Sequence, residues 1–253
     1  MPLFRKSRRE RLRAEPFPEH WRRIVETRVS VFARLSEADQ RELLGHARVL
    51  VEEKHFEGAG GLLMTDEVRL TIAAQAALLL LHRDTDYFPR LTSVIVYPSG
   101  YVAPNQRAEG GIWSEDDEHL SGHTQRNLRA LVLAWDDVEA GAADPDDGRN
   151  LVLHEFAHQL DFEDGSTDGT PPLESSAQAR AWAEVFGNAL EALRRAADAG
   201  EPTLLDPYGA QDPAEFFAVA TETFFERGRE LSGRHPKLYE ELKRYYRQDP
   251  AAW

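Results

Sequence analysis

The chain has 253 residues, a length that suits one large domain or two small ones with a substantial hydrophobic core. It contains no cysteine, so a disulfide framework, a thiol nucleophile and a thiolate-bound metal are excluded, and any metal must be bound by His, Asp or Glu side chains. Its formal net charge of −14 argues against binding nucleic acid over a broad surface, because the phosphate backbone would be repelled.

The N-terminus is strongly basic. Six of its first thirteen residues are Lys or Arg, and no apolar segment follows them as it would in a secretory signal peptide. This composition predicts a solvated, disordered tail over residues 1–15. The longest apolar run, residues 72–81, is about half as long as a membrane span and predicts a core helix. We therefore expect a cytoplasmic protein without a membrane span.

The remaining elements follow from capping residues, apolar periodicity and β-branched runs. Helices are predicted at about 36–49, 65–82, 150–162, 176–199, 212–227 and 236–247, and strands at 91–97 and 129–135. Strands enclosed by helices at both ends predict an α+β fold, mostly helical with one small mixed sheet. We expect a single domain over residues 16–253, with a helical part up to about residue 85 and a catalytic part over 86–253.

A metal-binding motif lies in the segment Leu151–Asp161, which reads LVLHEFAHQLD. Side chains four residues apart lie one helical turn above each other, so His154 and His158 can bind the same Zn²⁺. Glu155 projects about 100° away from His154, where it can act as a general base on water at an open metal position. Asp161 lies close to the histidine stripe and is predicted to orient a ligand histidine through a hydrogen bond.

A third protein ligand is needed, because catalytic zinc usually has three protein ligands and one open position. No histidine follows the motif closely, so the ligand must be a downstream carboxylate or one of the remaining histidines. Glu215 and Glu222 lie seven residues apart on one face of a strongly apolar predicted helix, where an unpartnered carboxylate is costly. Glu215 could also form a capping box with Asp212, so local chemistry does not decide between a ligand role and a capping role for Glu215. Glu222 is the rival candidate for the third ligand.

Three segments together resemble one protein family. They are HEFAHQLD at 154–161, YGAQDPAEFFAVATETFF at 208–225 and TDEVRLTIAAQAALLLL at 65–81. The sequence resembles the Mlc titration factor A family of zinc metallopeptidases, whose catalytic core is similar to the protease domain of anthrax lethal factor. The likeness extends over most of the chain.

The resemblance implies a zincin-like fold of the gluzincin type, with the small sheet packed near the HExxH helix. It implies that His154, His158 and Glu215 bind one Zn²⁺, that Glu155 is the catalytic acid and base, and that Tyr208 stabilises the oxyanion. It also implies aminopeptidase-type activity on small substrates and binding to a transcriptional repressor of sugar uptake.

Two functions are therefore expected. The first is a cytoplasmic zinc peptidase acting on peptide or protein substrates, with no direct binding of nucleic acid. The alternative is a non-catalytic protein that sequesters a regulator and uses zinc mainly for structure. The presence of Glu155 favours the enzyme, because a purely structural zinc site needs neither a general base nor an open position.

Overall fold

The computed structural model describes residues 2–99 and 129–253, with side chains from residue 4 onward. These residues form two compact units, Met1–Asp144 and Pro145–Trp253, which we call the N-terminal and C-terminal units. The sequence led us to expect one domain with an internal boundary near residue 85. The division between the two units follows Asp144, and all three described strands lie in the N-terminal unit.

Five α-helices are described in the N-terminal unit. They are α1 (Pro2–Ala14), α2 (Glu19–Arg28), α3 (Glu37–Glu53), α4 (Asp66–Leu78) and α5 (Trp135–Ala143). The side chain of Ser36 accepts a hydrogen bond from the backbone N–H of Asp39, and that of Thr65 accepts one from Val68. These caps confirm the helix starts predicted near residues 36 and 65. Every residue from Leu70 to Leu78 is buried, which confirms α4 as a core helix.

The sheet of the N-terminal unit contains β1 (His55–Gly58), β2 (Ser93–Tyr97) and β3 (Ala130–Ala134), in that order. The two predicted strands are confirmed, whereas β1 was missed because it is only four residues long. The prediction of a mixed sheet is wrong for the described strands, since β2 pairs in parallel with both neighbours. Helix α4 connects β1 to β2. Because this connection brings the chain back to the end of the sheet at which β1 began, the two strands run parallel.

The basic segment at the N-terminus forms α1, which packs on α3, and this differs from the expected disordered tail. Arg9 explains the difference. Its guanidinium donates hydrogen bonds to both carboxylate oxygens of Glu53, pairs with Asp86 and lies 4.7 Å from the ring centroid of Tyr87. Composition could not reveal these partners, because they lie 44 or more residues away in the sequence.

The C-terminal unit is helical throughout its described secondary structure. Its α-helices are α6 (Leu151–Asp161), α7 (Ser176–Asp198), α8 (Pro213–Glu226), α9 (Gly228–Arg234) and α10 (Pro236–Tyr246). Helix α9 was not predicted, because glycines at 228 and 233 obscure so short a helix. Helix α8 is buried from Phe216 to Glu226 and packs against α6, so the two helices that carry the predicted site are direct neighbours. Within the described residues, no helix is long and apolar enough to cross a membrane.

Candidate metal centre

The two histidines of the motif lie on one face of α6. Asn150 begins this helix, because its side-chain oxygen accepts a hydrogen bond from the N–H of Leu153 at 3.0 Å. The Nε2 atoms of His154 and His158 are 3.2 Å apart, and their ring centroids are 4.9 Å apart. The helical spacing therefore produces the convergence that the sequence predicted.

Glu215 reaches the same point from the first turn of α8. Asp212 caps this helix by accepting hydrogen bonds from the N–H groups of Ala214 and Glu215. The carboxylate of Glu215 does not complete a capping box. Its Oε2 atom lies 3.1 Å from Nε2 of His154 and 3.5 Å from Nε2 of His158.

The three donor atoms have the separation that a small tetrahedral ion requires. Donors bound to zinc at about 2.0–2.1 Å lie about 3.3 Å apart, and the three distances here are 3.1, 3.2 and 3.5 Å. Two imidazoles and one carboxylate are also a donor set that zinc prefers. Residues His154, His158 and Glu215 therefore fit a zinc ion.

Glu222 occupies the opposite side of the His154 ring. Its Oε1 atom lies 2.7 Å from Nδ1 of His154, and its Oε2 atom accepts a hydrogen bond of 2.6 Å from the backbone N–H of Asn150. A carboxylate on Nδ1 keeps the proton on that nitrogen and leaves the lone pair of Nε2 directed at a metal. The structure thus places Glu215 among the donor atoms and Glu222 behind one of them.

The side chain of Glu155 is almost completely buried. The residue is 4% exposed, and within the described part of the chain no hydrogen bond reaches its Oε1 atom. Burial raises the pKa of this carboxyl group, although the neighbouring histidines act in the opposite direction. A carboxyl group with a raised pKa takes up a proton more readily than an exposed glutamate does.

Tyr208 lies beside the histidines on a short 3₁₀ helix, Pro207–Ala210. Its backbone N–H donates to the side chain of Asp206, and its ring centroid is 6.0 Å from that of His154. Burial and the negative charges of Glu215 and Glu155 raise its pKa to about 12. The hydroxyl group therefore stays protonated at neutral pH and can donate a hydrogen bond.

Asp161 does not contact a histidine in the described hydrogen-bond network, contrary to our prediction. Its Oδ2 atom accepts a hydrogen bond of 2.9 Å from the N–H of Gly169, eight residues further along the chain. Asp161 is the last residue of α6, so its side chain points at the loop that follows the helix instead of back along the histidine stripe. Burial raises its pKa to about 6.

A second group of metal-binding residue types lies in the N-terminal unit, at Asp39, Glu42 and His82. The Nε2 atom of His82 is 3.1 Å from Asp39, whereas its Nδ1 atom is 3.3 Å from Glu42. Because the two carboxylates lie beside opposite nitrogens of the ring, they do not converge with His82 on one metal position.

Comparison with known proteins agrees with this geometry. The profile of a family described as glucose-regulated metallo-peptidase M90 matches residues 4–247. The chain belongs to the M90 metallopeptidase family. This confirms the family resemblance seen in the sequence, and the family name indicates a metal-dependent peptidase.

Three relatives of this M90 protein show how far the sequence similarity extends along the chain. An uncharacterized protein of Synechocystis sp. is 37% identical over 244 residues, which are 96% of this chain and 89% of the relative. Mlc titration factor A of Yersinia pestis is 31% identical over 230 residues, which are 88% of this chain and 83% of the relative. The protein of the same name from Yersinia pseudotuberculosis matches equally well.

Sequence reasoning missed Asn150 as a site residue of this M90 protein. An Asn before an apolar helix is a recognisable cap, so its side-chain role could have been predicted. The hydrogen bond from its backbone N–H to the side chain of Glu222 joins residues 72 apart in the sequence, and no local pattern indicates that contact. Glu226 was missed as well. Burial raises its pKa to about 9, and Asn150 and Asp147 are its polar neighbours.

Proposed function

We propose that this protein is a zinc-dependent peptidase of aminopeptidase type, in which His154, His158 and Glu215 bind one Zn²⁺. The observation that carries the proposal is the convergence of these three donor atoms at 3.1–3.5 Å from one another. The carboxylate of Glu222 supports it, because it holds His154 in the tautomer that can bind a metal.

A bound zinc ion would supply a Lewis acid that lowers the pKa of water and polarises a carbonyl group. Glu155 is the proposed base that takes the proton from the attacking water and passes it to the leaving amine. Its burial suits this exchange, since a raised pKa brings the carboxyl group closer to neutral pH. Tyr208 is the proposed hydrogen-bond donor to the oxyanion that forms from the substrate carbonyl.

A protein partner is a second proposed property. The relatives from Yersinia are named titration factors of Mlc, and by analogy we propose a transcriptional repressor of sugar uptake as the partner. Such a function places the protein in the cytoplasm. In the alternative, the protein sequesters this regulator without catalysis, and zinc has only a structural role.

The buried carboxyl group of Glu155 favours catalysis over sequestration alone. Burying a carboxyl group is costly unless it is paired, so a site that only held a metal would be more stable with an apolar residue at this 4% exposed position. In a peptidase the carboxyl group of Glu155 has a use, because it accepts the proton of the attacking water and passes it to the leaving amine.

Hydrolysis of a panel of aminoacyl and short peptide substrates tests the proposal. We expect cleavage that a chelator abolishes and that added Zn²⁺ restores. Glu155→Gln should keep the zinc and lose hydrolysis, and full activity in this variant would exclude Glu155 as the base. Zinc binding without any chelator-sensitive cleavage would support the sequestering protein.

A further inference from the structure

Both backbone polar groups of Gly169 are hydrogen-bonded to buried side chains. Its N–H donates to Oδ2 of Asp161 at 2.9 Å, and its carbonyl oxygen accepts a hydrogen bond of 3.0 Å from Nε1 of Trp182. Asp161 and Trp182 are both buried, and Trp182 stacks on Phe186 at 3.8 Å between ring centroids. The loop after α6 is therefore fixed to the aromatic core of the C-terminal unit at this residue.

Gly169 also touches the beginning of α8. A Cβ atom at this position would lie 2.2 Å from the carbonyl oxygen of Pro213 and 2.6 Å from its carbonyl carbon. The φ angle of Gly169 is +76°, a conformation that residues with a Cβ rarely adopt. Only glycine allows the loop to lie this close to the first turn of α8.

These contacts link the two helices that carry the metal donors. Asp161 ends α6 three residues after His158, and Pro213 begins α8 two residues before Glu215. The loop peptide at Gly169 lies between them. It therefore sets the separation between the end of the histidine helix and the turn that presents the carboxylate.

We propose that Asp161 and Gly169 are positioning residues that hold Glu215 at the correct distance from His158 for metal binding. The inference rests on the proposed function, because it takes Glu215 as a ligand. Metal–ligand distances tolerate deviations of only about 0.2 Å. Displacing Pro213 moves the first turn of α8 and separates Glu215 from the two histidines.

Gly169→Ala tests this with Gly200→Ala as its matched control. Gly200 also has a positive φ angle, +65°, but a Cβ atom there would meet nothing within 4 Å. Both variants therefore carry the same kind of backbone strain, whereas only the first displaces Pro213. The measurements are the zinc affinity, by competition with a chromogenic chelator, and the urea unfolding of the metal-free protein.

We expect Gly169→Ala to bind zinc about 10–100-fold more weakly than the wild type, and Gly200→Ala to keep the wild-type zinc affinity. The metal-free unfolding curves show whether each variant is folded. Equal zinc affinities in two folded variants would overturn the inference.

Substitutions of Asp161 provide an independent test should Gly169→Ala not fold. Asp161→Asn keeps an oxygen that can accept the N–H of Gly169, whereas Asp161→Ala removes it. We expect Asp161→Ala to weaken zinc binding at least tenfold and Asp161→Asn to restore most of it. Equal zinc affinity in Asp161→Ala and wild type would contradict the positioning role.

The outcomes separate this inference from the proposed function. A wild-type protein that binds no zinc overturns both. A wild-type protein that binds zinc but hydrolyses no peptide overturns the catalytic proposal, and the variants still decide whether Asp161 and Gly169 position Glu215.

Discussion

The Nδ1 atom of His154 lies 2.7 Å from Oε1 of Glu222, whereas its Nε2 atom lies 3.1 Å from Oε2 of Glu215. One imidazole thus lies between two carboxylates of α8 that local sequence patterns could not distinguish. Glu215 and Glu222 therefore have different roles, because only one nitrogen of the His154 ring can face a metal.

Glu222→Ala should therefore weaken zinc binding without abolishing it. The variant keeps all three proposed donors but loses the group that fixes the His154 ring, so we expect a 10–100-fold loss of zinc affinity. Glu215→Ala removes a donor and should cause a larger loss. Glu191→Ala, at an exposed position on α7, is the control and should bind zinc as the wild type does.

A chelator competition assay measures all three zinc affinities. Wild-type affinity in Glu222→Ala would show that its hydrogen bond to His154 has no effect on the metal. A larger loss in Glu222→Ala than in Glu215→Ala would exchange the roles proposed for the two residues.

Tyr208→Phe should reduce kcat and leave zinc binding intact. The substitution removes only the hydroxyl group, and loss of one donor to an oxyanion lowers kcat about 10²–10³-fold. Because the donor acts in the transition state, KM should change little. Steady-state kinetics on the best aminoacyl substrate, with the zinc content measured in parallel, provide the check. An unchanged kcat would remove Tyr208 from the mechanism.

Arg9→Met should destabilise the N-terminal unit by about 2 kcal/mol, since it removes the shortest ion pair of the buried carboxylate of Glu53 and leaves only the longer ones with Arg5 and Arg8. The side chains of Arg9 and Glu53 are only 8% and 5% exposed. Arg11→Met, at an exposed position of the same helix, should change the free energy of unfolding by less than about 0.5 kcal/mol. Urea unfolding compares the two variants, and equal stabilities would show that α1 contributes little to the unit.

A buried histidine and its carboxylate should make the N-terminal unit sensitive to acid. The Nδ1 atom of His46 is 2.8 Å from the hydroxyl group of Tyr87, and its Nε2 atom is 3.3 Å from Glu42. Burial lowers the pKa of His46 below 6.5, so this histidine stays neutral in the folded state. The hydrogen bond from His46 is the main reason that the pKa of Glu42 falls to about 2.

The two pKa shifts act in the same direction. As the pH falls below 6.5, the unfolded chain protonates His46 before the folded state does, and stability decreases. Glu42 stabilises the fold above pH 4.5, and this contribution is lost as the pH falls from 4.5 toward 2.

Glu42→Gln should accordingly lower the unfolding free energy by about 2 kcal/mol at pH 7. The difference from the wild type should shrink below pH 4.5, as the wild-type carboxylate also becomes protonated. Glu37→Gln, on the same helix but 93% exposed, is the control. Urea unfolding from pH 7.5 to 3.5 measures the effect, and a difference that does not depend on pH would contradict this assignment.

Local patterns predicted the part of the site that lies on a single helix. His154 and His158 could be predicted because their convergence follows from helical geometry alone. Local chemistry identified Glu215 only as one of two candidates, because the choice depends on how α8 packs against α6, and only the family resemblance favoured Glu215 over Glu222. The bond from Gly169 to Asp161 depends on the path of a loop, and the sequence led us to expect a histidine as the partner of that aspartate.

The fold likewise contains elements that local patterns predict and elements that depend on contacts between distant residues. Helices with clear caps were predicted, whereas β1 and α9 are too short for a periodic pattern to identify them. The basic segment was expected to be disordered because its composition is polar. It is helical because Glu53 and Asp86, both remote in sequence, provide the opposite charge.

The anchoring of α1 through Arg9 also has a consequence for the order of folding during synthesis. Asp86 follows Arg9 by 77 residues, so α1 leaves the ribosome long before this partner is made. Until then, its basic side chains lack the acidic groups that hold them and are exposed beside the polyanionic RNA of the ribosome. We expect the docking of α1 to be a late step, completed only after the segment that follows α4 has been translated.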